Sequence, residues 1–275
     1  MAGTLHIVGT PIGNLGDLTD RARATLASVD LVACEDTRRT GALLHHLGIA
    51  VPMRPLFVGN EAEATGEVLT ELRAGRSVAL VSDAGMPGLA DPGFPLIRAC
   101  VAEGIDVRVV PGPSAITAAL VLSGLPMERF AFEGFVPRAG AARRERLAAL
   151  AREERTAVLF ESPRRVASLL RDLAAAGADR PVAVAREITK LHEEVLRGTA
   201  SEVAARFGDG VVKGEVVVVL GGAPAATRDR AAVLADARAR VAAGARKREA
   251  AAAAAKGSDV SASEIYAALV ADGAA

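Results

Sequence analysis

Three glycine- and proline-rich segments hold the residue types best suited to gripping a small molecule by its shape. They are GTPIGNLGD at 9–17, SDAGMPGLADPG at 82–93 and VPGPSA at 110–115, and each follows a short apolar run. Glycine lets the main chain approach a ligand closely, and proline presets a turn at little entropic cost. The first segment reads G-x-x-x-G-x-x-G. That is neither the dinucleotide spacing G-x-G-x-x-G nor the phosphate loop G-x-x-x-x-G-K-[ST], so a phosphate ligand is disfavoured. A cofactor recognised through backbone hydrogen bonds suits these segments better, and Asp83, at a strand end, would accept hydrogen bonds from a ribose or an ammonium group. Any one of the segments alone reads more readily as an ordinary strand-to-helix turn.

The elements that must position these loops alternate along the chain. Apolar runs predict strands at 4–10, 31–36, 77–83 and 106–112, separated by helices near 19–28, 38–47, 61–74 and 94–103. Such alternation implies a parallel sheet between helices, and near-continuous apolarity implies strands buried on both faces. In sheets of this kind ligands sit at the carboxyl ends of the strands, where all three loops fall. After a helix at 114–124 the strands come closer together, at 129–135, 156–162, 181–187, 193–199 and 214–222, with helices near 141–152, 163–176 and 200–207. The pattern predicts an α/β fold of two α/β domains, 1–116 and 117–225, with a helical helix-turn-helix-like tail at 226–275. Helices are expected there at 227–242 and 246–255, followed by a last one opened by the Ser-x-x-Glu capping box at 261–264.

Composition narrows the class. Half of the 275 residues are hydrophobic, so a large core is available, while aromatics make up only 3% and tryptophan is absent. That points to helices packed tightly on sheets and not to an aromatic-lined barrel. The 33 basic and 33 acidic residues balance, which argues against a wholly basic nucleic-acid binder while leaving room for a local basic face. Two cysteines, Cys34 and Cys100, are too few for a disulfide scaffold or a zinc site and are expected as buried thiols. No membrane-length apolar run and no leader pattern is present, so the expected address is the cytoplasm.

Taken together, the motifs carry more than any loop alone. TPIGNLGD (10–17), EDTRRT (35–40), SDAGMPGLADPG (82–93), VPGPSA (110–115), EGFVPR (133–138), FESPRR (160–165), REITK (186–190) and KGE (213–215) follow in order. The series resembles the RsmI-type ribosomal RNA small-subunit methyltransferases of the tetrapyrrole methylase superfamily, from about residue 4 to 222. The tail is similar to the helix-turn-helix segment ending many members. Four residues depart from that pattern: Phe57 and Gly59 replace common histidines, Met86 a threonine, and Arg164 a histidine.

The resemblance implies an enzyme that binds S-adenosyl-L-methionine between two α/β domains and works as a homodimer. Its implied reaction methylates the ribose 2′-oxygen of a cytidine in the decoding region of 16S ribosomal RNA, with the 30S subunit as partner and no metal. Pro11, Ile12, Asp83, Ala84, Gly85, Met86, Pro111, Gly112, Ser114, Ala115 and Phe160 would line the cofactor. A base near the 2′-hydroxyl would assist transfer. Glu35, Asp36, Glu133, Glu161, Glu187, Lys190, Lys213 and Glu215 are candidates, with Lys190, Lys213 and Glu133 put forward as catalytic. Lysine is scarce here and both of those lysines fall in motifs, but a lysine base needs a lowered pKa, and a phosphate contact or a pairing with a nearby glutamate suits them equally. Glu35, Asp36, Arg38, Arg138 and Arg164 would meet the RNA, with Arg39, Arg143, Arg144, Arg146, Arg165 and the 246–248 run extending the basic face. Two alternatives stay open: a methylase acting on a tetrapyrrole, and a non-catalytic nucleic-acid-binding regulator.

Overall fold

In the computed structural model, residues 2–208, 213–224, 229–256, 258 and 260–272 are described. The chain divides into two compact units, one of Met1–Ala151 with Thr156–Gly221 and one of Arg152–Arg155 with Gly222–Ala275.

The first unit holds two five-stranded sheets. In the first sheet β1 (Thr4–Val8), β2 (Leu31–Cys34), β3 (Met53–Pro55), β4 (Val78–Val81) and β5 (Asp106–Val110) lie in the order β3-β2-β4-β1-β5. All of its pairings are parallel. Residues of alternate parity on the central strands enter different cores. Leu5, Leu31, Val78 and Leu80 pack with α3 (Glu61–Arg73) and α4 (Phe94–Ala102). Val8, Val32, Ala79 and Val81 pack with α1 (Asp20–Ser28) and α2 (Thr37–Leu47). Helices on both faces explain the unbroken apolar runs of β2 and β4. The expectation of two-sided burial fails for β5, an edge strand whose residues are mostly exposed. The edge strand β3 is exposed throughout and carries no apolar signal from which to predict it.

The second sheet contains β6 (Phe130–Phe135), β7 (Thr156–Glu161), β8 (Pro181–Arg186), β9 (Glu194–Thr199) and β10 (Val216–Leu220), ordered β6-β7-β10-β8-β9. It is mixed: only β6 and β7 run parallel. One face packs on α6 (Gly140–Arg152), α7 (Val166–Ala175) and α8 (Ala200–Phe207). The other face, with Val158, Ala183, Ala185, Val217 and Val219, packs on α5 (Ala115–Ser123) and also takes in Ile12 from the first loop. That shared core holds the carboxyl ends of the first sheet against the second sheet.

The second unit carries α9 (Arg230–Ala242), α10 (Lys247–Ala255) and α11 (Ala262–Ala271) around Val233, Ala237, Ala251, Ala254, Ile265 and Leu269. The capping box predicted at 261–264 is formed, Ser261 and Glu264 each accepting the other's backbone N–H. The start of the helix expected at 227–242, and parts of the turn at 257–259, lie outside the described residues. Cys34 and Cys100 are buried free thiols. Among the described residues no helix is long and apolar enough to cross a membrane.

Candidate active site

The three glycine-proline loops converge. Thr10 and Gly85 form an isolated bridge in which Thr10 N donates to Gly85 O at 2.9 Å and Gly85 N to Thr10 O at 3.1 Å. Gly85 has φ of 82°, in the left-handed region that glycine adopts without strain. Gly9 N donates to Val110 O at 3.0 Å, drawing the first loop onto the third. There the chains meet so closely that a Cβ on Gly9 would lie 2.6 Å from the backbone nitrogen of Gly112.

Between these loops and the second sheet lies an apolar cleft of about 400 Å³. It brings together seven of the predicted cofactor residues: Ile12, Ala84, Gly85, Met86, Ser114, Ala115 and Phe160. Phe160 meets Phe132 edge-on at 5.0 Å and Phe135 at 5.7 Å between ring centroids, which stiffens one wall. Ser114 is the N-cap of α5, yet its side chain makes no capping bond, and the start of that helix borders the cleft.

The remaining four fall elsewhere. Pro11 and Asp83 line an adjoining polar cavity of about 380 Å³, together with Arg39, His46, Lys190 and Glu215. Pro111 and Gly112 border an open hollow beside Thr117 and Val121. The Asp83 carboxylate is engaged by groups of the protein itself. One carboxylate oxygen accepts from Asp36 N at 3.2 Å and the other from Arg39 at 3.3 Å, so it ties the EDTRRT segment to the second loop.

The proposed RNA and base residues separate in the same way. Asp36 is the N-cap of α2 and accepts from the Arg38 guanidinium at 2.7 Å, and those bonds hold its carboxyl down at about 2. Arg38 is 89% exposed, and Arg138 and Arg164 are exposed. Arg143 and Arg165 leave the basic face: the first is buried against Asp172 and the carbonyl of Pro137, the second binds Glu161 and the carbonyl of Val136. Glu133 stands at the β-bulge of β6, where the register skips from Phe132 to Gly134, and pairs with Arg146 away from both cavities. Lys213 is exposed and lines neither cavity.

Lys190 lines the polar cavity with its ammonium 2.9 Å from Glu187 and 3.1 Å from Glu215. Burial pushes its pKa down, but bonding to the two carboxylates outweighs that and the net shift is upward. A lysine base would need the opposite shift, so Lys190 is an ammonium at neutral pH. The loop that presents it is strained, with Glu187 and Thr189 at φ of 51° and 68°, a feature that gathers at functional sites.

Sequence reading missed Asp91, Ser162, Pro163, Phe135 and Ile188 as cleft-lining residues and named Glu161 only as a candidate base. Glu161 had signalled itself by its place in FESPRR, whereas Asp91 sits after the left-handed Ala90 with no motif cue beyond its loop. Burial raises the carboxyls of Asp91 and Glu35, and each is raised further by the charge of Asp83. A folded pKa above the unfolded one means these groups favour folding most when protonated, with that contribution lost as pH rises through the folded pKa. Asp91→Asn and Glu35→Gln should therefore match the parent in urea denaturation at pH 4 and exceed it at pH 7. Equal stability at both pH values would show that these carboxyls are not held high. Among the described residues no cluster of histidine, cysteine or carboxylate could hold a metal ion.

Residues 4–204 match the family model of Tetrapyrrole (Corrin/Porphyrin) Methylases. The chain is 50% identical over 220 residues to the ribosomal RNA small subunit methyltransferase I of Thermotoga maritima, covering 80% of this chain and 99% of that protein. It is 49% identical over 228 residues to the Mycobacterium tuberculosis protein of the same name, covering 82% and 80%. Among solved structures, the methyltransferase CobJ aligns with a TM-score of 0.61 at 20% identity, over 81% of this chain and 95% of that one. A Thermus thermophilus uroporphyrin-III C-methyl transferase complexed with S-adenyl homocysteine aligns at 0.56 and 20%, over 80% and 97%. These two likenesses carry the fold alone. The chain is a methyltransferase belonging to the tetrapyrrole methylase family, in the group of the ribosomal RNA small subunit methyltransferase I proteins.

Proposed function

We propose that the chain binds S-adenosylmethionine in the apolar cleft and methylates the ribose 2′-oxygen of a cytidine in 16S ribosomal RNA of the small subunit. The observation that carries this reading is the convergence of Ile12, Gly85, Met86, Ser114 and Phe160 on one cleft at the carboxyl ends of the strands. It occurs in a chain half identical to proteins named for small-subunit ribosomal RNA methylation.

The residues fit such a donor. Ile12, Met86, Phe135 and Phe160 offer apolar walls to a base and a thioether chain. A Cβ at Gly85 would stand 3.4 Å from Ile12 Cγ2 and 3.6 Å from the carbonyl of Pro113, in the gap between the loops, so glycine leaves main chain open to a ligand. The start of α5 at Ser114 and Ala115 presents N–H groups suited to a carboxylate. Asp91 borders the same cleft and suits hydroxyls or an ammonium. When bound, the donor supplies an electrophilic methyl group; the chain supplies position, with reacting atoms held about 3–3.5 Å apart, and exclusion of water by the phenylalanine wall. Arg38, Arg138 and Arg164, all exposed, are assigned to RNA phosphates, contacts that add affinity without sequence information. Pairing of two copies belongs to the same reading, and sedimentation would read it as a dimer.

The reading is tested by calorimetry with S-adenosylmethionine, followed by transfer of its labelled methyl group to small ribosomal subunits stripped of native modification. Saturable binding and labelling of small but not large subunits are expected; binding without labelling of RNA would send the acceptor back to tetrapyrroles. Deleting 226–275 should weaken transfer to the subunit about tenfold or more, the scale of losing several phosphate contacts, with donor affinity kept. About a fifth of this chain has no counterpart in the T. maritima relative. Equal loss of both functions would remove the docking role.

A further inference from the structure

The proposed methyl transfer needs a seat for the acceptor and a group to take up its proton, and both assignments rest on that reaction. Three residues line both the apolar cleft and the polar cavity beside it: Ile12, Ala84 and Glu215. Ile12 and Ala84 offer only hydrocarbon. Among the described residues, Glu215 is thus the one ionisable side chain on both walls. Asp91 and Glu161 border only the cleft, and Asp83 and Lys190 only the cavity. We propose that the polar cavity seats the acceptor nucleoside and that Glu215 takes the proton of its 2′-hydroxyl.

The position of Glu215 is built, not incidental. Its N–H donates to the Glu187 carboxylate at 2.9 Å, and its carbonyl accepts from Glu187 N at 3.0 Å. Gly214, at φ of 89°, lets the chain turn there, and a Cβ at Gly214 would lie 2.4 Å from the Glu187 carboxyl carbon. The side chain is 61% exposed and so is open to an incoming group. The Lys190 ammonium, 3.1 Å from one carboxylate oxygen, steadies the carboxylate. Lys190 acts through Glu215 and is a positioning residue. Arg39, with His46, gives the cavity a wall suited to a nucleotide's phosphates, and Leu15 and Leu43 give apolar surface for a base.

The atoms balance. The bond from the ribose oxygen to the methyl carbon forms as the sulfur–methyl bond breaks, and sulfur keeps that electron pair. The hydroxyl proton passes to a Glu215 oxygen. A sulfonium and a carboxylate become a neutral thioether and a neutral acid, so charge is annihilated as the methyl group moves. General-base assistance of this kind contributes about 10²–10⁴-fold.

Four proteins test the proposal: the parent, Glu215→Gln, Lys190→Met and His46→Glu. Each is measured for single-turnover transfer to small subunits, donor affinity by calorimetry, and binding of a short target RNA by fluorescence anisotropy. Glu215→Gln should bind donor and RNA as the parent does and lose about 10²–10⁴-fold in rate. Lys190→Met should lower the single-turnover rate by less than Glu215→Gln does and leave donor affinity unchanged, the loss expected of a residue that steadies the Glu215 carboxylate. His46→Glu should weaken RNA binding and leave donor affinity alone. A Glu215→Gln rate equal to the parent's, or a donor affinity falling in step with its rate, would overturn the role of Glu215 while the parent's own transfer upholds the proposed reaction. A parent that transfers nothing would overturn both.

Discussion

Arg165→Met is expected to lower the free energy of unfolding by about 3 kcal/mol, the low end for breaking a buried ion pair. Glu161 is the reason. Its side chain is 1% exposed, with one carboxylate oxygen accepting from Ser162 N at 2.7 Å and the other from Arg165 at 2.8 Å. Arg165 also donates to the carbonyl of Val136 at 2.9 Å, so one guanidinium holds the end of β7 to the segment following β6. Methionine fills similar volume but leaves a buried carboxylate without its cation. Arg165 keeps some exposure, which lets water soften the loss. Pairing the change with Glu161→Gln should recover most of the stability, because the uncompensated charge goes with its partner. Urea denaturation of the parent, the single and the double variant checks this. A single variant within about 0.5 kcal/mol of the parent, the range of ordinary surface changes, would mean the pair is not desolvated.

Gly9→Ala is expected to act on both stability and the cleft. The added methyl would lie 2.6 Å from Gly112 N, 2.7 Å from Gly112 Cα and 2.8 Å from Met86 Sδ. Met86 can turn aside, but the backbone of the third loop cannot. Overpacking of this kind costs about 1–3 kcal/mol. The larger effect is on transfer: Ile12 and Ser114 line the cleft from the two loops that would be pushed apart, and misplacement of about 1 Å costs on the order of 10²-fold in rate. Denaturation and single-turnover transfer together read both losses. A variant that keeps the parent's rate would show that the close approach of the loops does not set the cleft.

Much of this site was legible before any coordinates, and the legible part has a common physical basis. Glycine and proline punctuate the chain at strand ends, so the loops that meet at Thr10, Gly85 and Ser114 announce themselves locally. Central strands such as LVAC and VALV are apolar because helices cover both faces, and they too read directly. Exposure hid the edges: Met53–Pro55 carries no apolar period, and Asp106–Val110 looks buried in sequence although it lies at the rim of its sheet. What no local pattern could supply is which side chains meet across the two sheets. No motif shows that Asp36 and Arg39 sit on the oxygens of Asp83. For Lys190 a pairing with glutamate was one of the readings open in the sequence, and its two partners, Glu187 and Glu215, come from different segments. Glu215 was one carboxylate among several, and only the topology puts it on the wall between two cavities.

The most direct test of the central claim is mass spectrometry of nucleosides from small-subunit ribosomal RNA, after reaction with this protein and isotopically labelled S-adenosylmethionine. One labelled nucleoside is expected, 2′-O-methylcytidine, in fragments from the decoding region. Label on a base, on another nucleotide, or on no nucleoside while the protein demonstrably binds the donor would contradict the proposed reaction.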